Sequence, residues 1–109
     1  AKGKFPECIE ESYLALEKFL KVKTGNHSKD AVGNYKDLQK EEFKGIFTLD
    51  EMKTKIKYQI DTIYGIRSKI KSHSSTEKFN RKEYLEEISR YQLNEVVNVC
   101  IILDKIEKI

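Results

Sequence analysis

The stretch that most constrains the fold runs from Thr48 to Ser74, TLDEMKTKIKYQIDTIYGIRSKIKSHS. Met52, Ile56, Ile60, Ile63, Ile66 and Ile70 recur at intervals of four, four, three, three and four residues, which lays one apolar stripe along a helix. A strand would need alternation every second residue, and this pattern does not supply it. Thr48 with Glu51 three residues on predicts a capping box at the helix start, and Asp50 and Glu51 put negative charge where the helix dipole favours it. Ile46 and Phe47 precede that cap as a hydrophobic staple, and the helix is expected to continue to about Lys71.

The flanking segments follow the same period. Pro6 and Glu7 suit a first helical turn, and Ile9, Tyr13, Leu16 and Leu20, widened by Leu14 and Phe19, form the inward stripe of a helix ending near Lys23. Gly25 supplies its C-cap. Residues 25–34 read as a polar loop in which His27 is solvated, and 35–45 as a short helix with Tyr35, Leu38 and Phe43 inward. Asn80 and Glu83 suggest a second cap pair for a final helix from Arg81 to the end. Its stripe is Leu85, Ile88, Gln92, Val96, Val99, Leu103 and Ile106, and Val97, Cys100, Ile101 and Ile102 make the later half apolar on nearly every side. The expected fold is all-α, an antiparallel helical bundle of three long helices plus one short helix. Residues 1–109 read as a single domain, either alone or as one domain of a longer protein. The excess apolar surface at 96–102 needs two flanking helices or a second copy of the chain, and a homodimer is the preferred expectation.

Charged residues make up 36% of the chain and the net charge is +3, which permits an anionic partner without requiring one. Cys8 and Cys100 lack the spacing of a zinc site or a disulfide framework and are expected to be buried free thiols. With no signal-peptide core and no membrane-length apolar run, the expected location is cytoplasmic with no membrane partner. No cofactor and no metal ligand set is expected, because no Gly-rich phosphate loop, nucleophile elbow or ligand cluster occurs.

Arg67 and His73 are the one pair that could carry chemistry. In a metal-independent ribonuclease a histidine moves the proton of the 2′-hydroxyl or of the leaving oxygen, and an arginine fork stabilises charge on the phosphorus oxygens. Six residues turn a helix through about 600°, leaving the two positions about 120° apart. His73 is therefore expected to lie past the helix end, or the site to be completed by another chain.

IYGIRSKIKSHS resembles the signature segment of HEPN domains, above all the Apea-like group, in which a tyrosine, an apolar residue and RSK precede a histidine. YLALEKFL at 13–20 is similar to that group's first-helix motif, with Glu17 as its acidic residue, and YLEEISRYQLNEVVNVCIIL at 84–103 to its closing helix. Ser74 stands where a glycine often follows the family's histidine. The resemblance implies Arg67 and His73 as catalytic residues, with Glu17, Tyr64 and Ser68 supporting them. It also implies homodimerisation that brings two motifs to one cleft and, in active members, RNA cleavage in toxin–antitoxin or phage-defence systems. An antitoxin or a fused domain would be a partner.

Three readings stay open: an RNA endonuclease, a non-catalytic dimerisation or RNA-binding module, and a plain structural bundle. In the last, Arg67 pairs with Glu17 and His73 caps its helix. The lysines at 53, 55, 57, 69 and 71 read as a solvated face before a phosphate-attracting one, because acidic residues at 50, 51 and 61 interrupt them. Tyr64 reads as core or interface before a base-stacking ring. Self-association is expected through a face bearing Arg67 together with the second half of the last helix.

Overall fold

The computed structural model describes residues 4–73 and 82–108. The fold is all-α. Helix α1 spans Phe5–Thr24, α2 Ala31–Leu38, α3 Asp50–His73 and α4 Lys82–Asp104. Two further strand fragments, β1 (Phe43–Lys44) and β2 (Glu107–Lys108), pair antiparallel with Phe43 opposite Lys108. A short 3₁₀ turn, Gly45–Thr48, leads into α3.

The main core takes one stripe from each helix. Tyr13, Leu16 and Leu20 of α1, Ala31, Tyr35 and Leu38 of α2, Ile56, Ile60 and Ile63 of α3, and Val96, Val99 and Leu103 of α4 are buried together. A second small cluster, Ile9, Ile70 and Leu85, closes one end, where the start of α1, the end of α3 and the start of α4 meet. These are the stripes that the sequence period marks out. Gln92, the polar member of the α4 stripe, is fully buried, and its amide donates to the Ile63 carbonyl at 2.7 Å.

Helix α1 carries Pro6 in its first turn, and Gly25, at φ 75°, donates its backbone N–H to the Lys21 carbonyl over 2.8 Å. That positive φ is why a glycine stands there. The expected loop at 25–34 is shorter than its composition suggests. Asp30 accepts from the Gly33 N–H at 2.8 Å and starts α2 at Ala31, four residues before the expected boundary. Asn34 is fully buried and its amide donates to the Asn26 carbonyl at 3.0 Å, so a polar residue is the pin between loop and helix.

Three further boundaries differ from expectation. The short helix stops at Leu38, and Phe43, expected on its inner face, instead anchors β1 and meets Phe47 edge-on at 5.6 Å. Thr48 does not cap α3: its hydroxyl donates to the Gly45 carbonyl at 2.7 Å inside the 3₁₀ turn, and the helix begins at Asp50. The last helix ends at Asp104, after which the chain turns to pair with β1. The Asn80–Glu83 cap rests on residue 80, outside the described residues. Cys8 is exposed on α1, against the expectation of burial, while Cys100 is half-buried and its thiol is pushed up by that burial. Both are free. His27 is exposed, as expected of a loop histidine. Among the described residues no helix is long and apolar enough to cross a membrane.

Candidate functional site

Arg67 sits in the crevice between the first half of α1 and the last turns of α3. Its Nε donates to Glu10 Oε2 at 2.6 Å and its Nη2 to Glu10 Oε1 at 2.8 Å, a two-bonded fork. The guanidinium also lies over the Tyr13 ring, 4.7 Å from its centroid. The pair is only partly open to water, with the arginine side chain 19% and the glutamate side chain 31% exposed. The hydrogen bonds from Arg67 hold the Glu10 carboxyl below its ordinary range against the opposing effect of burial. The same bonds raise the affinity of Arg67 for its proton. Planar bidentate pairs of this kind fix orientation as well as charge.

The arginine therefore does not pair with Glu17. Glu17, about two turns further along α1 from Glu10 on a related face, is bound by Lys21 at 3.0 Å. Partial burial works to raise the Glu17 carboxyl, but hydrogen bonds from Lys21 and Tyr13 carry it below its ordinary value. Tyr13 is buried, and burial followed by its bond to Glu17 pushes its hydroxyl well above the usual phenol range. Tyr64 is half-buried and packs edge-on against Tyr13, centroids 5.7 Å apart. It serves as a core aromatic. Ser68 is half-buried on α3 beside Arg67.

A cleft of about 210 Å³ opens beside Arg67, lined by Pro6, Glu7, Ile9, Glu10, Ile70 and Lys71. Its charged groups are two carboxylates and two cations. Another groove, of about 660 Å³, lies along the first half of α3 and Tyr91 and shares no residue with it. Among the described residues no group of three His, Cys, Asp or Glu side chains could hold a metal ion.

His73 is the last residue of α3, so the helix continues through it and the expectation that it lies past the helix end does not hold. On a regular helix, residue 73 is about 9 Å along the axis from Arg67 and about a third of a turn round it. The two positions do not share one face within a single chain. The His73 side chain, including any capping role, and Ser74 lie outside the described part of the structure.

The exposed residues of the later half of α4 lie on a different side of the chain from Arg67. Gln59 of α3 donates to Glu95 of α4 at 2.6 Å, which fixes the side of α4 that faces α3. Leu93, Val97 and Ile101 lie about 160–240° round the helix from Glu95 and are roughly half exposed. They point away from the helix that bears Arg67.

Glu10 is the residue that sequence reasoning missed. Its signal was present in the helical period: Glu10 precedes Glu17 by seven residues, two turns, so both stand on the side of α1 that faces α3. Which of the two meets Arg67 depends on the axial register of the helices, and that is set by packing. No family model matches the chain, and neither a curated protein nor a solved structure is similar to it.

Proposed function

We propose that the chain is a HEPN-like helical domain, an antiparallel bundle of three long helices and one short one, that works as a non-catalytic dimerisation module. Support for the helix directions comes from Glu10 lying opposite Arg67, Tyr13 opposite Tyr64, and Gln92 opposite Ile63. The observation that carries the non-catalytic reading is the Glu10 fork on Arg67. An oxyanion stabiliser needs a donor edge and uncompensated positive charge at the reacting phosphate. Here one edge of the guanidinium and its charge are taken by a carboxylate, and the ring of Tyr13 lies against its face. In the setting that the resemblance implies, such a module joins two copies and presents a partner, an antitoxin or a fused domain.

The second reading is a metal-independent RNA endonuclease of a toxin–antitoxin or phage-defence system. One observation favours it: Arg67, firmly oriented, borders a cleft that also contains Lys71. Because Arg67 and His73 diverge on α3, this reading needs His73 of a second copy, or a rearranged helix end, to reach the same phosphate. His73 would act as acid–base group and Arg67 as oxyanion stabiliser, leaving a 2′,3′-cyclic phosphate.

Cleavage of mixed single-stranded RNA in EDTA by wild type, Arg67→Ala and His73→Ala decides between them. The module reading expects no cleavage that depends on His73. A loss of about 10²–10⁴-fold on His73→Ala, the usual worth of general acid–base catalysis, would establish the nuclease and overturn the module reading.

A further inference from the structure

The outward face of α4 carries a pattern that is symmetric about Val97. Leu93 and Ile101 stand four residues to either side of it, and Arg90 and Asp104 seven residues to either side. Four residues turn a helix through about 400° and seven through about 700°, so all five positions fall within an arc of about 80°. This is one stripe, and it is open: Leu93 is 54%, Val97 46% and Ile101 49% exposed. Arg90 and Asp104 are exposed as well, and Arg90 makes a single surface pair with Glu86 one turn away, at 2.8 Å. Such exposed pairs within one helix hold weakly and exchange partners readily.

We infer that α4 docks on α4 of a second copy of this chain, antiparallel, with the two-fold axis at Val97. The geometry follows from the spacing. Turning the helix end for end about Val97 places Leu93 against Ile101 of the second copy, and Ile101 against its Leu93. The same operation sets Arg90 against Asp104 twice over. A two-fold interface has to be self-complementary, since each patch meets itself, and charges of opposite sign at equal distances from the centre meet that condition. A parallel arrangement in register would instead oppose Arg90 to Arg90 and Asp104 to Asp104, which like-charge repulsion disfavours. Half-buried Cys100, seven residues after Leu93, extends the apolar strip toward the core. Arg67 faces the crevice on α3, so this surface leaves the Arg67 cleft uncovered.

This inference rests on the dimerisation-module reading and specifies its surface. Sedimentation velocity on the whole chain at about 50 µM, a range in which standard-sized interfaces hold, is the test. Wild type should be a dimer. Val97→Glu places two carboxylates on the axis and should raise the dissociation constant by about 100-fold or more. Because Val97 is half exposed, the variant should keep the wild-type circular dichroism spectrum and melting temperature, which separates loss of docking from loss of folding. Arg90→Asp and Asp104→Arg alone should each weaken the dimer, and the double swap should restore it. A dimer that survives Val97→Glu, or a double swap that fails to restore one, overturns the α4 surface and leaves the module reading standing on some other face. A monomeric wild type at that concentration overturns both.

Discussion

Replacing Glu10 by glutamine isolates the contribution of the Arg67 clasp. The amide keeps the shape but offers one acceptor oxygen where the carboxylate offers two, and it removes the charge that complements the guanidinium. A fully exposed ion pair would contribute at most about 1 kcal/mol, while breaking a fully buried one costs about 3–5 kcal/mol. This pair lies between those limits, with side chains 19% and 31% exposed and two short bonds at 2.6 and 2.8 Å. Glu10→Gln should therefore cost about 1–2 kcal/mol, lowering Tm by about 5–10 °C in a domain of this size. The pH dependence has a definite sign. The folded Glu10 carboxyl lies below its ordinary value, so the clasp stabilises fully above the unfolded carboxyl range, near about 4.3, and its contribution is lost as pH falls through the lower folded value. Thermal melts of both proteins should thus differ at about pH 7 and converge in acid, once the carboxyl is protonated in the folded state. Equal melting temperatures at neutral pH would show that the fork contributes nothing and would remove the basis for reading Arg67 as a structural residue.

Leu16→Ala opens space within the main core at a fully buried position, and should cost about 2–5 kcal/mol in denaturant unfolding. Asp30→Ala removes the acceptor for the Gly33 N–H and should cost about 1 kcal/mol by the same measurement, with native hydrogen exchange rising first in α2.

The helical stripes were legible because burial follows the 3.6-residue period over many turns. Ile9, Tyr13, Leu16 and Leu20, or Ile56, Ile60 and Ile63, need no tertiary information to be grouped. Element ends were less legible because several local signals compete there. Thr48 has the chemistry of a cap, but Gly45 at φ 75° starts a 3₁₀ turn first, and the hydroxyl is used within it. Phe43 fits the period of the short helix, yet pairing with residues 107–108 holds it in extended form. That partner lies more than 60 residues away, and no local pattern announces it. The arginine of the candidate site was legible from its motif. Its partner was not, because Glu10 and Glu17 occupy similar faces of α1 and differ only in height.

The charge balance of the Arg67 cleft ties these observations to function. Arg67 and Lys71 meet Glu7 and Glu10 there, two positive groups against two negative, so the cleft as folded offers a phosphate no net attraction. An RNA phosphate reaching Arg67 would have to displace a carboxylate that already holds two short bonds, or approach the guanidinium edge that Glu10 does not engage. The first route loses the charge-assisted bonds that hold α1 against α3 at the end of the molecule closed by Ile9, Ile70 and Leu85. The second leaves the nearby carboxylate repelling the incoming phosphate. Either route makes catalysis from one folded chain costly, whereas the docking proposed for the exposed stripe of α4 would require no rearrangement of the chain. On the proposed reading, recognition falls to α4 and structural support to Arg67, and a histidine-dependent cut in the RNA assay is the result that would reverse that assignment.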